Sequence, residues 1–206
     1  MLGLMQDHPL LISSIFEHAV GNYGKQEIVS NTVEGGIHRY NYSSWGERTK
    51  KLANALKSLN LNQGDKVGTL AWNGYRHLEI YYATSCSGLI CHTLNPRLHP
   101  DQVSYIVNHA EDKVLCVDFN ILPLIEKASE NFKTVEALVI MTDEKNMIKP
   151  NIKDGIKVIC YEEFIKDQSE EYIWPQLDEK TASSLCYTSG TTGNPKGVLY
   201  SHRSTV

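Results

Sequence analysis

Apolar and polar positions along the chain follow two different periods, one typical of β-strands and the other of α-helices. Short apolar runs of strand length stand at 66–72, 89–94, 113–119, 136–140 and 156–161. The segments between them repeat an apolar residue every three or four positions, as amphipathic helices do, and they cover 44–59, 75–88, 99–110 and a stretch ending near 130. Strands that are apolar throughout and alternate with helices predict a mostly parallel sheet with helices on both faces. The predicted fold class is therefore α/β.

Local signals predict where some of these elements begin. Residues 39–42 read as a further strand because of their aromatic content. Ser44 followed by Glu47 fits a capping box, which predicts Ser44 as the N-cap of the first long helix. Pro100 predicts the first turn of the helix at 99–110, because proline is favoured where a helix has no use for its N–H group.

Composition and charge then exclude several classes of protein. The 206 residues include 41% hydrophobic and 21% charged positions, the proportions of an ordinary globular protein with a sizeable core. A net charge of -4 argues against a general binder of nucleic acid or of anionic membranes, since both select for an excess of Lys and Arg. No run approaches the roughly 20 apolar residues that a membrane span needs. The N-terminal stretch has no early Lys or Arg, which argues against a signal peptide and favours a cytoplasmic protein.

Neither the cysteines nor the histidines are spaced as a metal site requires. The cysteines are odd in number, lack a C-x-x-C pair and stand in apolar surroundings, which predicts reduced thiols in the core. They are Cys86, Cys91, Cys116, Cys160 and Cys186. His92, His99 and His109 lie near one another along the chain, but none pairs with another ligand type at i, i+4, so a zinc site there is only a minor alternative.

One stretch near the end of the sequence, TSGTTGNPKG at 188–197, is unlike the rest of the chain. It places three glycines, four hydroxyl side chains and one lysine between two apolar runs of strand length. Glycines let the backbone approach a ligand closely, so that successive N–H groups form a nest for an anion, and the hydroxyls and the lysine add further donors. This chemistry suits a polyphosphate. A flexible linker is the alternative, but a linker has no need of a fixed Pro195-Lys196-Gly197.

The loop also differs from the Walker A motif. That motif needs Gly directly before Lys and Ser or Thr directly after it, whereas Lys196 stands between Pro195 and Gly197. The residues that follow, GVLYSH, are strand-like rather than helical. We therefore expect the phosphates in a loop between two strands, without help from a helix N-terminus.

The segment YTSGTTGNPKGV at 187–198 resembles the phosphate-loop signature of the adenylate-forming superfamily, which includes acyl-CoA synthetases, luciferases and the adenylation domains of peptide synthetases. Residues 40–56 resemble an early segment of that superfamily, and residues 88–115 resemble its medium- and long-chain fatty-acid ligases. The resemblance covers nearly all of 10–206. It implies the fold of the N-terminal part of the large, AMP-binding (adenylation) domain.

The resemblance implies a two-step reaction with ATP, a fatty acid and coenzyme A as substrates and Mg²⁺ as cofactor. The carboxylate attacks the α-phosphorus of ATP and releases pyrophosphate, and coenzyme A then displaces AMP to give a thioester. Thr188 resembles the position whose hydroxyl helps to hold magnesium, and Lys196 resembles the catalytic loop lysine that follows the phosphates. The β- and γ-phosphate cradle is implied at Ser189, Gly190, Thr191, Thr192 and Gly193. For His202, a surface or capping role is favoured over a substrate role.

In the superfamily, the adenine and ribose segments, a second magnesium ligand and a C-terminal domain with a catalytic lysine follow this loop. We find no counterpart of them, so 1–206 is expected to be an incomplete N-terminal portion that is catalytically silent alone. The strands at 184–188 and 197–201 are then expected to lack neighbours. A truncated, non-enzymatic nucleotide-binding module is one alternative, and adenylation of an aryl or amino acid is another.

The N-terminal segment 8–20 has the apolar spacing of a helix that buries one face. Leu11, Ile15 and Val20 could supply a homodimer contact, as N-terminal segments do in the fatty-acid branch, or they could cover the chain's own sheet. The second interpretation is favoured.

Overall fold

A computed structural model describes residues 1, 3–4, 6–188 and 194–206 of the chain. Its helices are α1 (Ile12–Tyr23), α2 (Tyr42–Lys57), α3 (Tyr75–Cys86), α4 (Pro100–Ala110), α5 (Leu122–Ser129), α6 (Tyr161–Lys166) and α7 (His202–Thr205). Its strands are β1 (Glu27–Asn31), β2 (Ile37–Asn41), β3 (Lys66–Leu70), β4 (Ile90–Thr93), β5 (Asp112–Val117), β6 (Ala137–Ile140), β7 (Lys157–Cys160), β8 (Ala182–Thr188) and β9 (Lys196–Ser201). None of the helices in these ranges has the length and apolar character that crossing a membrane requires.

The main sheet has seven strands in the order β7-β6-β5-β3-β4-β8-β9. Every neighbouring pair is parallel except β8 and β9, which are antiparallel. The predicted α/β class with a mostly parallel sheet is therefore confirmed. The expectation of an unpaired β8 is wrong, because β8 pairs with β4 on one side and with β9 on the other. Within the described ranges β9 forms the edge, and its Val198, Leu199 and Tyr200 are exposed.

Helices cover both faces of this sheet, as the continuous apolar strands predict. Along β5, Val114 and Cys116 point into a core shared with α1, α2, α3 and α6. The alternate residues Leu115 and Val117 point into a second core, which α4 and α5 cover. Successive side chains of a strand face opposite sides of a sheet, so one strand serves two hydrophobic cores.

A separate two-stranded antiparallel sheet, β1 with β2, precedes helix α2. The sequence predicts β2 but not β1, whose residues alternate between exposed and half-buried and so lack an apolar run. Helix α2 begins at Tyr42, and its N-cap is Asn41, whose side chain accepts a hydrogen bond from the Ser44 backbone N–H at 2.9 Å. The prediction of Ser44 as the N-cap is therefore wrong, because Asn41 provides the cap one turn earlier. Pro100 opens α4, as predicted.

Helix α1 packs on α2 and α3 rather than directly on the sheet. Leu11, Ile12 and Phe16 are buried there, whereas Ile15 remains 40% exposed. Val20 lies over Gly46 of α2, where an added Cβ would approach the Val20 Cγ2 atom to 2.8 Å. The segment 8–20 thus covers other helices of its own chain, and a homodimer contact there stays a prediction.

A buried charge network, formed by Arg48, Arg76, Glu34, Glu79 and Glu162, ties α2, α3 and α6 to the loop of the β1–β2 hairpin. Arg48 donates to Glu79 (Nε–Oε1 2.8 Å) and to Glu162 (Nη1–Oε2 3.0 Å). Arg76 donates to Glu162 (Nε–Oε1 2.7 Å) and to Glu34 (Nη1–Oε1 2.6 Å). Burial alone would raise the pKa of Glu162, but the two arginines lower it. Glu79 has no exposed side-chain surface, and its burial raises its pKa despite Arg48.

Candidate functional site

The glycine- and hydroxyl-rich stretch connects the two strands of the β8–β9 hairpin, as predicted. In the antiparallel register Thr188 stands opposite Lys196, so the hairpin brings together the two predicted site residues at the ends of the loop. Both residues are exposed. The other residues of the predicted phosphate cradle lie outside the described residues, and they are Ser189, Gly190, Thr191, Thr192 and Gly193.

Thr188 lies at the carboxyl end of β8, beside the carboxyl end of β4. The two strands are parallel, and Thr93 of β4 is the partner of Cys186 in β8. Open α/β sheets bind their ligands in the crevice outside the carboxyl ends of the strands, where the loops are free to vary. The hairpin therefore presents its loop at the edge of the sheet where a ligand site is expected.

The Thr188 hydroxyl is available for a ligand. Its one protein contact among the described residues is to the Lys196 carbonyl oxygen at 3.5 Å, which is at the limit for a hydrogen bond. A hydroxyl held so weakly can turn toward another partner at little cost. An exposed ammonium group on Lys196 adds a cation on the neighbouring strand.

A cleft of about 390 Å³ lies between this hairpin, the end of β4 and helix α4. Thr93, Asn95, Gln102 and Thr188 supply its polar groups, and its apolar lining is Leu94, Leu98, Ile106, Tyr187 and Pro195. A concave site with an apolar lining and a few polar side chains is the usual character of a small-molecule site. The cleft opens directly beside Thr188.

Tyr187, the residue before Thr188, is anchored on two sides. Its hydroxyl lies 2.6 Å from the Nδ1 atom of His109, at the end of α4. Its ring also packs at 5.2 Å from the ring of His92. His92 is fully buried and pairs with the buried Asp112, with 2.8 Å between Nδ1 and the carboxylate oxygens. The sequence analysis missed this arrangement, because its residues come from four separate elements.

The three neighbouring histidines thus have three separate partners. His92 pairs with Asp112, His99 forms the N-cap of α4, and His109 bonds to Tyr187. In the described parts of the chain no three His, Cys, Asp or Glu side chains are grouped so that they could hold a metal ion.

His202 is buried at the start of α7, so the interpretation of a surface histidine is wrong. Its Nδ1 atom accepts a hydrogen bond from the Ile12 backbone N–H at 3.3 Å. Ile12 is the first residue of α1, so His202 satisfies one of the free N–H groups of that helix. Burial lowers the pKa of His202, which keeps the ring neutral and able to accept this bond. The capping interpretation is thereby confirmed.

The cysteines are free thiols, as predicted. Cys86, Cys91 and Cys116 are buried, and burial raises the pKa of Cys91 to about 12. Cys160 and Cys186 are only partly buried, so the expectation of core thiols holds for three of the five.

A second cavity, of only about 30 Å³, lies at the carboxyl ends of β3 and β5. The Trp72 backbone N–H donates to the Asp118 carboxylate there at 2.7 Å. Burial raises the pKa of Asp118 to about 6, with Glu34 adding to the effect. A cavity of this size holds roughly one water molecule, so it is too small for a substrate group.

Comparisons with known proteins agree with this geometry. Residues 16–206 match the family model described as "AMP-binding enzyme". A 3-methylmercaptopropionyl-CoA ligase of Ruegeria lacuscaerulensis is 48% identical over 100% of this chain, and a medium-chain-fatty-acid–CoA ligase of Ectopseudomonas oleovorans is 47% identical over 100% of it. The chain spans 38% and 37% of the lengths of these two relatives. The crystal structure of an anthranilate CoA ligase in complex with anthranoyl-AMP superposes with a TM-score of 0.81 and 25% identity, over 97% of this chain and 37% of that one.

Proposed function

The chain belongs to the AMP-binding enzyme family, and from this premise we propose that it carries the phosphate-binding part of an acid–CoA ligase. The observation that carries the proposal is the β8–β9 hairpin, in which Thr188 faces Lys196 at the ends of the glycine- and hydroxyl-rich loop. The relatives support the same reaction class, since those of highest identity are CoA ligases.

The proposed reaction has two steps. A carboxylate oxygen of the substrate attacks the α-phosphorus of ATP, the bond to the β-phosphate breaks, and pyrophosphate leaves. The sulfur of coenzyme A, as a thiolate, then attacks the acyl carbon, and AMP leaves as the thioester forms. Negative charge builds up on the departing pyrophosphate in the first step. We propose that the Lys196 ammonium and the donors of the loop stabilise that charge.

For Mg²⁺, the described residues offer one oxygen rather than a complete site. The weakly held Thr188 hydroxyl fits the role of a single protein ligand. Magnesium in nucleotide sites takes most of its ligands from phosphate oxygens and water, so one hydroxyl is a plausible protein share. When bound, the ion would neutralise charge on the phosphates.

We propose a medium-chain aliphatic acid as the substrate. This proposal rests on the resemblance of residues 88–115 to fatty-acid ligases and on the relative from E. oleovorans. A second candidate is 3-methylmercaptopropionate, which is favoured by the 48% identity to the R. lacuscaerulensis ligase. An aryl acid is supported less well, because the ligase solved with anthranoyl-AMP is only 25% identical. A cytoplasmic location stays a prediction.

Carboxylate-dependent exchange of pyrophosphate into ATP tests the proposal in the whole protein. We expect exchange with octanoate or with 3-methylmercaptopropionate, and we expect Lys196→Ala to reduce it strongly. Lys180→Ala, at another exposed lysine just before β8, is the matched control and should retain exchange. Exchange with anthranilate or with amino acids alone would contradict the aliphatic substrate. Binding of MgATP without exchange for any carboxylate would favour a non-enzymatic nucleotide-binding module.

A further inference from the structure

We propose that Tyr187 is a positioning residue for the phosphate loop, and that it sets where Thr188 and Lys196 stand. The inference rests on the proposed function and names a residue through which the fold acts on that site. Tyr187 does not need to touch a substrate for this role. Its contacts on three sides carry the argument.

The first contact fixes the hydroxyl. The Tyr187 oxygen lies 2.6 Å from Nδ1 of His109, and the His109 ring stacks on Tyr105 one turn earlier in α4 (ring centroids 5.5 Å, interplanar angle 24°). Burial raises the pKa of Tyr187, and the charge of Asp112 adds to this, so the phenol stays protonated and donates to the imidazole nitrogen. The hydroxyl therefore links the last residue pair of β8 to helix α4.

The second contact supports the ring from below. His92 lies against it, and the buried pair of His92 and Asp112 has no exposed side-chain surface. Gly68 on the neighbouring strand leaves room for this pair, since an added Cβ would stand 3.0 Å from the Asp112 Oδ2 atom and 2.5 Å from a Leu115 methyl group. A support that is buried and closely packed on all sides yields little when it is loaded.

The third contact passes the position of the ring to the other strand. Gly197 is the cross-strand partner of Tyr187, and a Cβ added there would stand 3.1 Å from the ring Cζ atom. The ring therefore lies directly on the backbone of β9, with no side chain between. Thr188 follows Tyr187 and Lys196 precedes Gly197, so a shift of the ring would move both loop ends. This also gives the glycine after the lysine a physical reason.

The test compares variants of the whole protein in two independent measurements. Tyr187→Phe removes the hydroxyl and keeps the ring, and His109→Phe removes its acceptor. His109→Asn places an amide near the position of Nδ1 and is the conservative rescue. Tyr200→Phe, an exposed tyrosine on β9 of the same hairpin, is the matched control. The first measurement is the KM for ATP and for octanoate in pyrophosphate exchange, and the second is amide hydrogen exchange in the peptides that contain β8 and β9.

For both Tyr187→Phe and His109→Phe we expect the KM for ATP to rise roughly three- to tenfold, the range set by the loss of one hydrogen bond. The KM for octanoate should stay unchanged, the double variant should be no worse than either single one, and His109→Asn should recover most of the loss. Hydrogen exchange at the ends of β8 and β9 should quicken by a similar factor. Values equal to those of Tyr200→Phe would overturn the inference, as would an equal rise in both KM values together with a lower Tm. If the wild-type protein exchanges pyrophosphate with no carboxylate, the proposed function fails, and hydrogen exchange alone decides this inference.

Discussion

Replacing Arg48 by methionine should remove the central cation of the buried charge network. Its guanidinium makes four contacts, to Glu79 (Nε–Oε1 2.8 Å and Nη2–Oε2 3.2 Å) and to Glu162 (Nη1–Oε2 3.0 Å and Nη2–Oε1 3.1 Å). Methionine keeps the apolar stem and none of the donors. Glu162 still has Arg76 as a partner, so Glu79 is the carboxylate that loses its cation. It retains one hydrogen bond, from the Tyr161 hydroxyl at 2.6 Å.

A buried pair that loses one partner typically costs about 3–5 kcal/mol, because the remaining charge is left without compensation. We expect a loss of that size in the free energy of unfolding. The loss should also depend on pH. Burial already raises the pKa of Glu79, and the absence of Arg48 raises it further. A carboxyl group with a raised pKa in the folded state contributes stability at low pH and loses it as the pH rises, so the variant should be relatively more stable at about pH 5 than at about pH 8.

Urea unfolding, followed by circular dichroism, measures both effects. Lys51→Met is the matched control on the same helix, because Lys51 pairs with Glu170 at 3.0 Å in a more exposed position. That control should lose less than about 1 kcal/mol. Adding Glu79→Gln to Arg48→Met should restore part of the stability, since a neutral amide still accepts the bond from Tyr161. A loss no larger than that of the control, or one that is the same at both pH values, would refute this account of the network.

Three further predictions concern single groups. Thr188→Ala should slow pyrophosphate exchange by about 2.7–4 kcal/mol of transition-state stabilisation and should spare thioester formation from preformed acyl-adenylate; equal damage to both steps would contradict its role at the phosphates. Asp118, with a pKa raised to about 6, should make the wild-type protein less stable relative to Asp118→Asn as the pH rises from about 4 to about 6, by roughly 2 kcal/mol in urea unfolding, and a flat difference would contradict this. Iodoacetamide should label Cys160 and Cys186 before the buried Cys91 in the native protein, as mass spectrometry of the peptides would show.

Periodicity predicts the main sheet because its strands are apolar on both faces. Such runs stand out in the sequence, and parallel pairing follows from the helices between them. Strand β1 could not be found in this way, since it is exposed or half-buried at every position. The two glycines at Gly35 and Gly36, both with positive φ, were the signal that could have marked its hairpin.

The candidate site was predicted only in part, for a different reason. The loop announces itself locally, because glycines, hydroxyls and a lysine stand together in the sequence. The parts that hold it do not: Tyr187 meets His109 across 78 residues, and Arg48 meets Glu162 across 114. A single histidine or arginine carries no mark of its distant partner, so such pairs emerge only from the fold.

The place of β8 between β4 and β9 has a consequence for how the protein is made. Thr93 on β4 waits for a partner 93 positions later, while β5, β6 and β7 are synthesised and join the opposite side of the sheet. A ribosome needs on the order of 5 to 20 s to add that many residues. During this interval the nascent chain displays the backbone N–H and C=O groups of β4 as an open edge, beside apolar side chains that are not yet covered. Chaperones that protect emerging chains would find their binding site there, and the arrival of β8 would close it.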